Sequence, residues 1–486
     1  MSMRRVRHFI DNRFVDSIDG KTFPSISPID NQQVAEVAEG QRADAARAVE
    51  AARRAFDEGP WPRMSPSERK RILHRVADGI EARLDELALW ETVDMGKPIT
   101  DSKKKDMPRC AFNFRFFADY AEHLNTKAFD QPAAKIFTYE LREPLGVAAA
   151  ISPWNFPLML LTWKVAPALA FGCTVVAKPA EQSPITASIL AEIVAEADVP
   201  PGVFNVVQGF GPDAAGEELT SHPGVDAVTF TGETATGRII MANAARTLKK
   251  LSFEMGGKSA NVVCADADID AAIDGTMTGS FGNQGEVCLA GTRLLVQRPI
   301  YDEFVARYVE RAEAMKIGDP RDPATDMGPL VTEEHMEKVL SYIDLANEEG
   351  GKLLTGGHRL TEGDLGKGNY VAPTVFTNVD NSMRVCQEEI FGPVEMVIPF
   401  DEIDEGIDIA NQTRYGLAGM VWTTNLATAH RVAREVRTGT MWVNCYFVRD
   451  LRAPFGGYKD SGIGREGGDY SYEFFTESKA VVMKLA

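Results

Sequence analysis

An α/β protein built on doubly wound parallel sheets is predicted by three observations on this sequence. From residue 146 onward, short apolar runs alternate with helical patterns. A second alternating series follows Asn261. At 486 residues the chain also exceeds one ordinary core, so two or three domains are expected.

The elements follow in order. Asp44 to Asp57 and Ser67 to Leu89 space their apolar residues three and four apart and are rich in helix formers, which predicts two helices. Ser65-Pro66-Ser67-Glu68 supplies capping residues and a proline at the second start. The runs VAAAIS, CTVVAK, VFNVVQ, AVTFT and LSFEM then read as strands, with helices at 158–171, 185–197 and 235–249 between them. Apolar strands alternating with helices imply βαβ units and a parallel sheet covered on both faces. Helices near 301–315 and 333–349 belong to the second series, and the Gly-rich stretch 362–368 reads as a surface loop.

Composition limits the function classes. A hydrophobic share of 44% with 25% charged residues is that of a soluble globular protein. The formal charge of -18 disfavours nucleic acid or an anionic membrane as the main partner. No apolar run reaches the roughly 18–20 residues of a membrane span, and the basic start MSMRRVRHFIDNRF lacks the apolar core of a signal peptide. A cytoplasmic location is the expectation. Six cysteines (110, 173, 264, 288, 386 and 445) are scattered singly, which argues against structural zinc, any other metal centre, or a disulfide framework.

In doubly wound sheets ligands bind beyond the carboxyl ends of the strands. PWNFP, KPAEQSP, GFGP and TGETATG follow the first four strands and together predict one continuous cleft. Cys288 stands in GNQGEVCLAG, where glycines allow close approach of a ligand and a thiol is a natural nucleophile for a carbonyl carbon. Its plainer reading is a buried structural cysteine. Glu254 in LSFEMGGKS ends a strand at the mouth of the cleft, where partial burial makes a carboxylate a useful base; a solvated strand end is the alternative. Asn155, between Trp154 and Phe156, can donate to a developing oxyanion, or be a simple turn residue. Gly209-Phe210-Gly211 and Gly232–Gly237 are incomplete as dinucleotide fingerprints. Lys178 and Glu181 follow the second strand, where a carboxylate can accept both hydroxyls of an adenosine ribose and repel a 2′-phosphate. NAD over NADP is the expectation.

Together PWNFP, KPAEQSP, FTGETATG, FEMGGKS, GNQGEVC, EEIFGP and PFGGYKDSGIGREGG resemble, in this order and over the whole chain, the aldehyde dehydrogenase superfamily. The resemblance implies Cys288 as nucleophile, Glu254 as general base and Asn155 as oxyanion donor. It implies NAD contacts at Ile151, Ser152, Trp154, Lys178, Glu181, Gly211, Phe230, Thr231, Gly232, Glu389 and Phe391. Many relatives have serine where this chain has Glu233, and a carboxylate there would repel a pyrophosphate unless it points away. The resemblance also implies an NAD-binding domain from 1–123 and 144–255 and a catalytic domain from 256–455. Segments 124–143 and 456–486 would form a small bridging sheet for pairing of subunits, as a dimer or tetramer. The run WVNCYFVRDLRAPFGGYKDSGIGREGG resembles the subgroup that oxidises muconate-type semialdehydes. Their remote carboxylate needs a cationic anchor, which implies Arg109 and Arg449, with Arg452 as a substitute. Two rival readings share much of this chemistry: a general aromatic or aliphatic aldehyde dehydrogenase, and a thiol esterase using Cys288 and Glu254 without a redox cofactor.

Overall fold

The computed structural model describes residues 3–485. Five parallel strands carry the first sheet: β1 (Val147–Ile151), β2 (Thr174–Lys178), β3 (Phe204–Val206), β4 (Ala227–Thr231) and β5 (Lys250–Glu254). Their spatial order is β3-β2-β1-β4-β5. All but the first two residues of β5 are buried, because helices cover both faces. The three alanines at the centre of β1, Ala148 to Ala150, let those helices approach the middle of the sheet. The chain leaves β1 in one direction for β2 and β3, then returns to add β4 and β5 on the other side. A crevice therefore opens beyond the carboxyl ends of β1 and β4, where Ser152 and Gly232 lie.

The second sheet contains β6 (Ala260–Val263), β7 (Arg293–Gln297), β8 (Thr374–Thr377), β9 (Val394–Phe400), β10 (Ala418–Trp422) and β11 (Thr440–Val443), ordered β8-β9-β7-β6-β10-β11. These six are parallel, and Lys352–Thr355 adds an antiparallel edge beside β8. Only Met255–Ser259 separates β5 from β6, so the passage between the two sheets begins at the predicted base, Glu254. A third sheet is antiparallel: Ala128–Gln131, Ile136–Pro144 and Thr476–Lys484, with Phe129, Leu141, Val482 and Met483 exposed on it.

Several details differ from the sequence expectation. The helix expected over Ser67–Leu89 is two, Pro66–Ala82 and Leu84–Met95, because Arg83 leaves helical geometry (φ -108°, ψ 20°). Short strands between Arg4 and Ala38 precede the first helix and carry little periodicity of their own. His8–Ile10 and Arg13–Val15 extend the first sheet beyond β3. Within 456–486, the two-residue strand Gly462–Ile463 pairs with β5 in the first sheet, and only Thr476–Lys484 enters the small one.

Candidate active site

The nucleophile loop is shaped by residues that leave the usual backbone regions. After the helix Ile269–Phe281, Asn283 (φ 50°), Gln284 (φ 57°) and Gly285 (φ 72°) are left-handed in succession. Asparagine tolerates this conformation better than most residues. The Asn283 side-chain amide donates to the carbonyls of Asn155 (3.0 Å) and Glu286 (3.2 Å), and the Asn155 amide donates to the Glu286 carbonyl at 2.8 Å. The two loops thus lock each other. The Glu286 carboxyl is fully buried and accepts the backbone N–H of Val331 at 2.9 Å.

The Gly256-Gly257 pair permits the next approach. A side chain at Gly257 would stand 2.4 Å from the Cys288 carbonyl oxygen, and one at Gly256 would stand 2.2 Å from Glu389 Oε2. Glu389 is held there by the Gly257 N–H, which donates to its Oε1 at 2.9 Å. Of the sequence-predicted residues, Trp154, Asn155, Thr231, Gly232, Cys288, Glu389 and Phe391 line one cavity of about 190 Å³. Glu233, His335 and Lys338 line it too, and none of the three was assigned a role from sequence. Glu233 is exposed and, among the described residues, makes no capping hydrogen bond at the start of the helix Thr234–Ala244.

The Cys288 thiol is pushed up to about 12 by burial, then by Glu389 and Glu254, with Arg449 opposing. It is therefore a protonated thiol in the free protein near neutral pH. Glu389 is raised to about 7, chiefly by burial. Glu254 is raised well above the carboxylate range, first by burial and then by Glu466, with Lys164, Arg449 and Arg465 opposing. Among the described residues neither Glu254 oxygen has a hydrogen-bond partner. Behind it, Glu466 accepts from Trp163 Nε1 (2.6 Å), Lys164 Nζ (2.8 Å) and Thr229 Oγ1 (3.2 Å). Sequence reasoning missed this group. Glu466 lies in the quoted GIGREGG run, but its partners come from a helix and a strand some three hundred and two hundred residues away.

Along the crevice, Lys178 donates to the Pro179 carbonyl (3.1 Å) and lies 3.4 Å from Glu181. Gly216 packs against Gly211 and the end of Lys178, and a Cβ added to Gly211 would meet nothing within 4 Å. Ile151 and Phe230 are buried at the ends of β1 and β4, and the Phe230 ring lies under Gly232. Ser152 Oγ and Thr231 Oγ1 are buried at those ends, without partners among the described residues. Buried hydroxyls left unsatisfied are costly. Their place at the switch point fits the phosphates and riboses of a dinucleotide. The residues present fit NAD.

The three arginines separate. Arg109 and Arg449 both stand over the Trp163 ring, at 5.6 and 4.8 Å, and Arg449 also lies 3.6 Å from the Phe455 ring centre. Burial, then Arg109, lowers Arg449 to about 10, and Glu466, Glu254 and Cys288 oppose that shift. Arg449 is therefore close to the reacting groups. Arg452 does not join them. It is exposed, and its fork is occupied by Asp450 at 2.6 to 3.2 Å.

The chain is 50% identical over 487 residues, covering 99% of itself and all of the relative, to 2-hydroxymuconic semialdehyde dehydrogenase of Pseudomonas sp. (strain CF600). It is 47% identical, over 99% of each chain, to 2-aminomuconic 6-semialdehyde dehydrogenase of Pseudomonas sp.. The crystal structure of indole-3-acetaldehyde dehydrogenase complexed with NAD+ superposes with a TM-score of 0.97 at 45% identity, covering 100% of this chain and 97% of that one. Among the described residues no helix is long and apolar enough to cross a membrane. Residues 14–481 match the Aldehyde dehydrogenase family, and the chain belongs to that family as an NAD-dependent oxidoreductase of aldehydes.

Proposed function

We propose that this enzyme oxidises a semialdehyde bearing a carboxylate remote from its aldehyde, of the 2-hydroxymuconate or 2-aminomuconate type, to the dicarboxylic acid. One observation carries this reading: two half-buried guanidinium groups, Arg449 near Cys288 and Arg109 near Arg449, lack an anion among the described residues. Among the described residues Arg449 makes no hydrogen bond or ion pair, and Arg109 uses only its Nε, toward Asn113 (3.0 Å). Half-buried guanidinium groups without a partner are well placed to pair with a substrate carboxylate through two hydrogen bonds. Arg452 is left out of the anchor because Asp450 already fills its fork. Two of the relatives are named for substrates of this kind.

In the proposed mechanism Cys288 Sγ bonds to the aldehyde carbon while its proton passes to a neighbouring carboxylate, for which Glu389 stands nearest in protonation range. The carbonyl oxygen becomes an oxyanion held by the second N–H of the Asn155 amide, whose first is used by Glu286, and by the Cys288 backbone N–H. NAD held along the crevice would supply the acceptor for a hydride from this adduct. A thioester on Cys288 remains. Glu254 takes a proton from water, the hydroxide adds to the thioester carbon, and the C–S bond breaks to release the acid and the thiol.

The test is a substrate panel. Arg109→Ala should raise KM for a semialdehyde acid by about tenfold to a hundredfold, the loss of a charge-assisted contact. For a neutral aldehyde the change should stay within about twofold, and equal losses on both would remove the anchor. The exposed apolar residues of the small sheet, Phe129, Leu141, Val482 and Met483, support self-association as a dimer or dimer of dimers in the cytoplasm. Light scattering that returned the mass of one 53.2 kDa chain would overturn that assembly.

A further inference from the structure

His335 stands in the cavity but belongs to neither the nucleophile nor the acid–base groups. It sits in the first turn of the helix Glu333–Glu348, and its backbone N–H is fixed by the Thr332 hydroxyl at 3.1 Å. Its Nε2 lies 2.7 Å from the Phe391 carbonyl oxygen. A carbonyl only accepts, so Nε2 carries the proton, and this assigns the tautomer. Burial lowers the imidazole to about 4, so the ring is neutral and Nε2–H is the single N–H it holds.

The group it holds is unusual. Phe391 has φ 63°, a left-handed backbone that a bulky residue rarely adopts. Such a conformation persists where its surroundings over-determine it. Two rings, Trp154 and His335, do so here. Trp154 packs edge-to-face on Phe391 at 5.2 Å and on His335 at 5.2 Å, with His335 and Phe391 6.1 Å apart. The helix start is tied to the nucleophile loop as well, since Val331 donates to Glu286 and His335 Nε2 lies 3.8 Å from the same carboxyl.

We infer that His335 is a positioning residue for cofactor binding. Its Nε2–H holds the Phe391 carbonyl, keeps that backbone left-handed, and so fixes the aromatic wall against which the nicotinamide half of NAD rests. The inference rests on the proposed mechanism: the hydride leaves an adduct on Cys288, so the nicotinamide must enter the cavity that Cys288 and Phe391 both line.

Calorimetry with two probes tests it: NAD, and ADP-ribose, which keeps the adenosine, pyrophosphate and second ribose but lacks the nicotinamide. His335→Leu should weaken NAD about tenfold, the scale of one unmade hydrogen bond, and leave ADP-ribose within about twofold. His335→Gln, whose amide also donates, should return NAD affinity to within about threefold of the natural protein. Phe391→Ala should weaken NAD selectively too. Equal weakening of both probes in His335→Leu, or no recovery in His335→Gln, would overturn the role. NAD affinity unchanged in His335→Leu but reduced in Phe391→Ala would overturn it while leaving the pocket reading intact. NAD affinity unchanged in Phe391→Ala would overturn the pocket reading itself. If His335→Leu does not fold, His335→Met keeps the length without a donor and carries the same comparison with His335→Gln.

Discussion

Cys288→Ala should lower the rate of NAD reduction by about four orders of magnitude or more, the usual scale for loss of a covalent nucleophile. NAD affinity should change by no more than about twofold, since the removed sulfur contributes one atom to a cavity walled by Trp154, Glu389 and Phe391. No other thiol can substitute. Cys110, Cys173, Cys264 and Cys386 are buried elsewhere, and Cys445, though packed in the same apolar cluster, does not line the cavity. Cys288→Ser is the sharper variant because it keeps an atom that can attack. A thiol held near 12 already needs a proton acceptor before it adds to a carbonyl. A serine hydroxyl is a far weaker acid than the thiol in the same surroundings. The serine variant should therefore be nearly as inactive as the alanine one. Stopped-flow NADH absorbance measures both, and a variant that reduced NAD at the normal rate would end the covalent mechanism.

The sequence carried some parts of this site and withheld others for physical reasons. Strand–helix alternation places β1 to β5 to within about two residues, because the strands are almost wholly buried and each connection is a helix. Glycine pairs and strand-end motifs locate the cleft, since close approach of backbone leaves a mark in the sequence, as Gly256 and Gly257 do beside Glu389 and Cys288. What is local is legible. The Glu466–Lys164–Thr229 group is not, because each member alone is an ordinary surface or core residue and only the fold makes them neighbours. His335 is hidden for the same reason: on an amphipathic helix it looks like one more polar position. Arg452 illustrates the opposite error. Residue type and proximity in sequence to Arg449 nominate it, but Asp450, two positions away, captures its fork. The thiol's protonation was also beyond reach, since the ordinary acidity of cysteine omits the burial and the two carboxylates that raise it.

Glu254→Gln should separate the two halves of the reaction. Rapid mixing should still show a burst of NADH approaching one equivalent per active chain, because Glu389 remains beside the Cys288 thiol to take its proton. Steady-state turnover should fall by about a hundredfold to ten-thousandfold, the range for loss of a general base. The pH profile gives an independent sign. Burial and Glu466 hold the Glu254 carboxyl protonated well above the ordinary carboxylate range, and only the ionised form can accept a proton from water. Hydrolysis in the natural enzyme should therefore rise with pH through that elevated value, and the glutamine variant should lose the rising limb. Glutamine has nearly the same shape, and among the described residues neither carboxylate oxygen has a partner to lose, so a structural explanation for the slow step is weak. Hydroxylamine removes what remains of it. As an external nucleophile it attacks a thioester without help from a base and should restore turnover in Glu254→Gln by releasing the hydroxamate. If the burst and the steady state fell together and hydroxylamine rescued neither, Glu254 would be acting before the thioester forms, and water activation would have to be assigned to another group.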